Sequence, residues 1–155
     1  MPFTAQLASE NEMLAFAGRL AARLGAGDTI LLSGTLGAGK TVFARGLVQA
    51  LCGDDTEVIS PTFMLVQQYE STKGFPVHHY DLYRIERAGE LLELGIEEVL
   101  GSALVLMEWP EKGEDIWPKD RLEISIELDP ENPHARRLQL LPKGSMVEKI
   151  RPLFT

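Results

Sequence analysis

The sequence has one cysteine and no long apolar run. Cys52 cannot form a disulfide within the chain, which fits a reducing compartment, and we interpret it as a small buried residue rather than a nucleophile. No apolar run approaches the roughly 20 residues of a membrane span. Residues 1–6 lack the basic segment leading into an apolar one that begins a signal peptide. These absences favour a cytoplasmic protein without a membrane partner.

Positive charge is also scarce. Fifteen Lys and Arg residues face 23 Asp and Glu residues, so the formal net charge is −8. Residues 134–155 hold five basic residues and one acidic residue, a net +4, which leaves −12 for residues 1–133. The acidic body argues against broad, unaided binding to nucleic acid. The basic segment is either a contact for RNA or an acidic partner, or a solvated surface, which is the more common case.

A glycine-rich loop lies between a predicted strand and a predicted helix. The apolar run Thr29 to Leu32 is typical of a buried strand, and the pattern from Val42 to Leu51 is helical. Between them stands Gly34-x-x-x-x-Gly39-Lys40-Thr41, which has the Walker A spacing. A glycine-rich turn with an unrelated lysine is the simpler alternative, but the flanking strand and helix disfavour it.

The residue types of this loop suit a phosphate chain. Glycines let successive backbone N–H groups face one anion, and the helix N-terminus adds its free N–H groups. Lys40 is expected to reach the β- and γ-phosphates, and the Thr41 hydroxyl to ligate Mg²⁺. The predicted nucleotide-binding residues of the loop are Gly34, Thr35, Leu36, Gly37, Ala38, Gly39, Lys40, Thr41 and Val42.

The remaining patterns predict an α/β fold in a single domain over residues 1–155. Ser9 opens a capping box before the first helix. Residues 64–69 and 76–80 predict an antiparallel hairpin, and residues 103–107 a strand buried on both faces. Strands over 122–128 and 136–141 and short helices over 90–94, 96–100 and 146–153 complete the pattern. We predict a P-loop NTPase-like fold with a mixed, mostly parallel sheet flanked by helices.

Two carboxylates are candidates for the chemistry. A P-loop enzyme needs an acidic residue at the end of a neighbouring strand to hold Mg²⁺, and Glu108 follows the apolar strand there; a surface glutamate is the alternative. Asp81 follows another strand and would orient water or join the metal shell. From spacing alone, a structural salt bridge from Asp81 to Arg84 is about as plausible.

Other residues carry weaker signals. Thr62 lies where nucleotide-sensing loops often lie in P-loop proteins, although it would otherwise only cap a turn. Trp109 is a stacking platform or a core residue, and the sequence alone favours the core. His78 and His79 are adjacent on a predicted strand and point to opposite faces, so we expect no zinc site.

Four motifs in order resemble the TsaE (YjeE) family, over roughly residues 7 to 142. They are the loop from Gly34 to Thr41, then Ser60-Pro61-Thr62-Phe63, then His79-Tyr80-Asp81-Leu82-Tyr83-Arg84, then Glu108-Trp109-Pro110. The Walker motif alone is unspecific, whereas the four together are highly specific. The resemblance implies a small bacterial ATPase needed to make threonylcarbamoyladenosine in tRNA, beside the anticodon.

The resemblance also implies cofactors, partners and roles. It implies ATP and Mg²⁺, slow hydrolysis, and work with the proteins TsaB and TsaD, of which TsaD performs the transfer; tRNA is reached only through that complex. Lys40, Asp81 and Glu108 would be catalytic, Thr41 and Glu108 would hold Mg²⁺, and Thr62 and Trp109 would lie near the nucleotide.

One departure and two alternatives accompany the resemblance. Family members usually have Asp after the first glycine of the loop, where this chain has Thr35, so hydrolysis is expected to be slower or metal affinity altered. The alternative functions are a small-molecule or nucleotide kinase, and a nucleotide-gated binding module without significant turnover. A kinase needs a lid and phosphate-clamping arginines, and no lid-like insertion is evident in the sequence.

Overall fold

The described part of the chain holds seven strands and five helices. The computed structural model describes residues 2–35, 37–59, 61, 65–113 and 115–154. Two 3₁₀ turns are also present: Pro110–Gly113 follows the strand Leu104–Glu108, and Arg151–Phe154 follows the helix Met146–Ile150. In chain order the elements are β1 (Phe3–Leu7), α1 (Glu10–Ala21), β2 (Thr29–Gly34), α2 (Lys40–Cys52), β3 (Val66–Glu70), β4 (Pro76–Asp81), α3 (Gly89–Glu93), α4 (Ile96–Leu100), β5 (Leu104–Glu108), β6 (Arg121–Leu128), β7 (Arg136–Lys143) and α5 (Met146–Ile150).

The strands form one sheet of order β1-β7-β6-β2-β5-β4-β3. Strand β2 pairs in parallel with β5 and β6, and β4 pairs in parallel with β5. The pairings β1–β7, β6–β7 and β3–β4 are antiparallel. The mixed sheet and the β3–β4 hairpin confirm the prediction, but the parallel share is half rather than most, because β7 folds back on β6 and β1 extends that edge.

Strand β1 was not predicted. Its five residues alternate between partly buried and exposed positions before Leu7, which is buried. The pattern is short, and its partner β7 lies far along the chain, with Phe3 opposite Leu140 and Leu7 opposite Arg136. The strand is therefore stabilised by a pairing that the local sequence pattern does not predict. Helix α1 follows it, and its predicted cap is present, since the Ser9 hydroxyl accepts a hydrogen bond from the Glu12 N–H.

The core lies on both faces of the sheet. On one face, α1 and α2 pack against residues such as Ile30, Leu32 and Leu106. On the other face, Val105 and Met107 contribute to a smaller cluster that includes residues of α3 and α4. All five residues of β5 are buried, as predicted for a strand covered on both sides. Among the described residues, no helix combines the length and apolarity needed to cross a membrane.

The carboxyl ends of the parallel strands meet at one edge of the sheet. Strand β2 ends at Gly34, β4 at Asp81 and β5 at Glu108. The parallel register places Asp81 opposite Glu108. Helix α2 begins at the same edge, directly after the glycine-rich loop. In open α/β sheets this edge is where ligands bind.

Candidate functional site

The glycine-rich loop needs its glycines for conformation and for space. Gly34 has φ +150°, and a Cβ added to it would lie 2.6 Å from the Ile126 carbonyl oxygen. Gly39 caps helix α2 in a left-handed conformation, with φ +105°. A side chain at either position would strain the backbone. The loop therefore turns sharply from β2 into the first turn of α2, whose N–H groups have no partners within the helix.

A cavity of about 450 Å³ opens between this loop and the ends of β4 and β5. One wall is the glycine loop and the first turn of α2, and the opposite wall carries the two carboxylates and two aromatic rings. The lining residues are Gly37, Gly39, Lys40, Thr41, Val42, Asp81, Tyr83, Glu108, Trp109 and Arg136. Most of the sequence-predicted site residues therefore surround one space.

Lys40 is nearly buried, at 6% exposure, and points into this cavity. Its ammonium donates a hydrogen bond to the Gly34 carbonyl oxygen and lies 3.6 Å from the centre of the Trp109 ring. Burial lowers the pKa of Lys40, while the carboxylates of Glu108, Glu111 and Asp81 oppose that shift. The ammonium is thus held by a carbonyl and a π face, both of which a phosphate group can replace.

Asp81 and Glu108 stand side by side at the strand ends, and both are buried. Oδ1 of Asp81 accepts a hydrogen bond from the Tyr83 N–H at 2.9 Å, which fixes the turn after β4. The side chains face the same cavity as the Thr41 hydroxyl. A set of carboxylate and hydroxyl oxygens beside a phosphate-binding loop suits Mg²⁺, which is usually bound by one or two carboxylates together with phosphates and water.

Glu108 also contacts a histidine from the neighbouring strand. Nε2 of His79 lies 2.6 Å from Oε2 of Glu108, and both side chains are almost fully buried. His78 lies on the other face, where its ring is 6.3 Å from that of Tyr80, and burial lowers its pKa. The prediction that the two histidines point to opposite faces is confirmed. The contact between His79 and Glu108 was not predicted.

Trp109 has a left-handed backbone, with φ +59°, which is uncommon for a residue other than glycine. Its ring packs at 5.0 Å from the ring of Tyr83, and Tyr83 is 45% exposed. The ring is also packed against the smaller core cluster. Trp109 is therefore both partly a core residue and a wall of the cavity, where it covers Lys40.

Arg136 is a site residue that the sequence analysis missed. It lies at the start of β7, far from the loop in sequence, yet its Nε donates to the Ala38 carbonyl at 2.8 Å. Its Nη1 donates to the carbonyls of Pro133 and Ala135. The guanidinium thus holds the glycine loop from outside and lines the cavity. The only local signal was a basic residue opening a strand.

A second, smaller cavity adjoins the first. Its volume is about 220 Å³, and it shares Gly39, Val42 and Arg136 with the larger one. Its far side is formed by Ser9, Glu10 and Met13 at the start of α1 and by Pro133 and His134 just before β7. The two cavities together form a groove that runs across the N-terminus of α2.

The remaining predicted residues differ in their positions. Thr35 is exposed, and its carbonyl accepts a hydrogen bond from the Ala38 N–H. Ala38 is fully buried under the loop. Leu36 and Thr62, together with most of the Ser60 to Phe63 motif, lie outside the described residues.

Comparison with known proteins identifies one family across most of the chain. Residues 7–138 match the family model of "Threonylcarbamoyl adenosine biosynthesis protein TsaE". Among curated relatives, the "tRNA threonylcarbamoyladenosine biosynthesis protein TsaE" of Rickettsia felis is 43% identical over 126 residues, which are 81% of this chain and 73% of that protein. The protein of the same name in Haemophilus influenzae is 34% identical over 127 residues, 81% of this chain and 77% of its own length.

A solved structure agrees with the fold. The crystal structure of Bacillus subtilis YdiB superposes with a TM-score of 0.78 at 28% sequence identity. The superposition covers 99% of this chain and 93% of YdiB. The strand, glycine loop and helix thus lie within a P-loop fold of this type, as the sequence predicted.

Proposed function

The chain belongs to the TsaE family, and from that premise and the geometry of the cavity we propose that it binds ATP with Mg²⁺ and hydrolyses it slowly. This ATPase activity would serve the formation of threonylcarbamoyladenosine in tRNA, which is the process given in the names of its relatives. The observation that carries the proposal is the convergence of Lys40, Asp81 and Glu108 on one cavity beside the N-terminus of α2.

The proposed chemistry is phosphoryl transfer to water. The N–H groups of the loop and of the first turn of α2 would bind the phosphate oxygens, and Lys40 would move from Trp109 and Gly34 onto the β- and γ-phosphates. Thr41 and Glu108 would hold Mg²⁺, which neutralises phosphate charge when bound. Asp81 would orient the attacking water at the same edge. Most of the rate enhancement would come from positioning and charge rather than from a covalent step.

The nucleoside would occupy the smaller cavity. That cavity is continuous with the phosphate site through Gly39, Val42 and Arg136. Met13 and Val42 offer apolar contact of the kind that a purine ring needs. The guanidinium of Arg136 would lie between the base and the phosphates while it keeps its hold on Ala38.

We further propose TsaB and TsaD as the protein partners, with the cytoplasm as the compartment. The acidic body of residues 1–133 makes direct binding of tRNA by this chain unfavourable, so the partners would supply the RNA contacts. Turnover of ATP would then reset the assembled complex rather than modify the nucleoside itself.

The site assignment is tested by removing the lysine. In Lys40→Ala, ATP affinity measured by isothermal titration calorimetry should fall by about a hundredfold, because the phosphates lose a desolvated charge partner. The matched control is Lys119→Ala, since Lys119 is exposed and does not line the cavity. Unchanged binding in Lys40→Ala would overturn the assignment.

A further inference from the structure

We propose that His79 is a positioning residue for Glu108 and sets the affinity of the site for its divalent cation. This inference rests on the proposed function, because it assumes that Glu108 ligates Mg²⁺. Nε2 of His79 lies 2.6 Å from Oε2 of Glu108. The two residues come from adjacent parallel strands, β4 and β5, two positions apart in the register.

The hydrogen-bond direction follows from the groups involved. An ionised carboxylate only accepts, so His79 donates from Nε2–H. Nδ1 of His79 is buried and has no hydrogen-bond partner in the described part of the chain. Nε2–H is therefore the ring donor that meets the carboxylate.

This arrangement fixes one oxygen of Glu108 and leaves the other for the cation. The bond engages Oε2, so Oε1 lies outside it, and the Glu108 side chain lines the cavity. Glutamate has three rotatable side-chain bonds, so an unheld carboxylate would lose conformational freedom on binding a metal. Carboxylates that ligate a metal are themselves held by hydrogen bonds, and loss of such a partner typically lowers metal affinity about 10- to 100-fold.

The position of His79 makes a purely structural role a weaker explanation. Buried polar side-chain atoms usually have a hydrogen-bond partner, so an unpaired ring nitrogen in the core calls for an explanation. Here one nitrogen is left unpaired while the other contacts the one carboxylate that ends β5. The cost of burying Nδ1 is tolerated where the gain is the orientation of Glu108.

Two substitutions separate positioning from packing. In His79→Gln the side-chain amide reaches about as far as Nε2, so it still donates to Glu108; in His79→Asn the amide ends near the position of Nδ1 and cannot. The affinity for a non-hydrolysable ATP analogue is measured by calorimetry with Mg²⁺ and with EDTA. We expect His79→Asn to reduce the Mg²⁺-dependent gain in affinity about tenfold, and His79→Gln to retain most of it. Affinity in EDTA should be the same in all three proteins.

The outcomes distinguish this inference from the proposed function. A wild-type protein that binds the analogue with no gain from Mg²⁺ contradicts the metal role of Glu108, and the inference with it. A wild-type gain that His79→Asn keeps in full overturns the inference alone. Equal losses in Mg²⁺ and EDTA assign His79 a structural role and overturn it too.

A measurement on the wild-type protein covers the case in which either variant does not fold. Nitrogen NMR of ¹⁵N-histidine-labelled protein reports the tautomer of each of the three histidines, and samples of His78→Gln and His134→Gln together assign the signals of His79. The account predicts that His79 remains the Nε2–H tautomer both alone and with Mg²⁺ and the analogue. Exchange between tautomers in the Mg²⁺ complex would overturn the positioning role, because the donor would then not be held on Glu108.

Discussion

At the scale of single residues, the Lys40 ammonium contacts partners that bind it more weakly than a phosphate group would. The Lys40 ammonium lies on a carbonyl and an indole ring, neither of which carries a full negative charge. The indole ring belongs to Trp109, whose backbone has an unfavourable left-handed conformation. Such a conformation costs about 1–3 kcal/mol. Strain of this kind concentrates at functional sites, and here it accompanies the indole ring that lies over Lys40.

Arg136 gives the first residue-scale prediction. Arg136→Gln removes the charged donor that bonds the Ala38 carbonyl, and a hydrogen bond from a charged group contributes about 1.5–3 kcal/mol. We expect ATP affinity to fall about tenfold or more, measured by calorimetry. Arg137→Gln is the matched control, since Arg137 is exposed and pairs with Glu127 instead. Equal effects of the two substitutions would contradict the role of Arg136.

Thr35 gives the second prediction. The resemblance described in the sequence analysis implies Asp at this position, and Thr35 is exposed on the loop. Thr35→Asp adds a carboxylate near the phosphate site, so we expect steady-state ATP hydrolysis to rise a few fold and its Mg²⁺ dependence to change. Thr35→Asn has the same shape without the charge and should resemble the native chain. Unchanged turnover and Mg²⁺ dependence in Thr35→Asp would remove this explanation of the departure.

The site residues that could be predicted from the sequence are those positioned by residues close to them in the chain. Lys40 and Thr41 follow the loop that positions them, and Glu108 ends an apolar strand, so spacing alone predicts where they lie. Arg136 contacts a carbonyl 98 residues away, and His79 meets Glu108 only through the strand register. Such contacts depend on topology and register, which a single sequence does not specify.

At the scale of secondary structure elements, β2, the loop and α2 act as one unit. Strand β2 ends at the edge of the sheet where the loop begins. The glycines of the loop let the chain turn there into α2 without a steric clash. Helix α2 is then fixed by its apolar face, including Phe43 and Leu47, which are fully buried. Movement of the helix would cost this burial, so the first turn stays in place when a ligand binds.

A substitution at Gly34 tests the close packing of this unit against the neighbouring strand. In Gly34→Ala the new Cβ would lie 2.6 Å from the Ile126 carbonyl, with φ in a region that alanine rarely adopts. We expect the free energy of unfolding to fall by about 2 kcal/mol or more in urea titrations. Gly101→Ala is the control, because its φ is −95° and nothing lies within 4 Å of the added atom. A Gly34→Ala protein as stable as Gly101→Ala would contradict the close packing of the loop.

Elements with strong local patterns were predicted well, and those stabilised by distant partners were not. The uninterrupted apolar run of β5 and the alternation of apolar and polar residues in β6 each predict a strand. Strand β1 has only five residues and depends on β7. The antiparallel half of the sheet was underestimated for the same reason, since the way β7 and β1 join the edge depends on the whole topology.

At the scale of the whole molecule, the larger cavity lies where the carboxyl ends of three parallel strands meet, with core on both faces of the sheet. A ligand bound there touches the glycine-rich loop, α2, β4, β5 and β7 at once. Ligand binding should therefore stabilise the fold as a whole rather than one loop. Binding to the native state adds about 2.7 kcal/mol of stability when the ligand is at a hundred times its Kd.

That linkage gives the whole-molecule prediction. Saturating ATP with Mg²⁺ should raise the Tm in calorimetry by roughly 5–10 °C, on the scale of about 2–4 °C per kcal/mol for a domain of this size. EDTA should remove much of the shift, because on the proposed function Glu108 and Thr41 would hold Mg²⁺. GTP should give a smaller shift, since the chain has no guanine-recognition motif. Absence of any shift with ATP at high concentration would contradict binding in this cavity.

The central claim is that this chain hydrolyses ATP in the service of a tRNA-modifying complex. The most direct measurement is steady-state ATP hydrolysis by the chain alone and with the TsaB–TsaD pair added, with Glu108→Gln assayed in parallel. The account predicts weak turnover alone, a clear rise with the pair, and neither in Glu108→Gln. Turnover that never exceeds the Glu108→Gln background, with or without the pair, would contradict the account and favour a nucleotide-gated binding module.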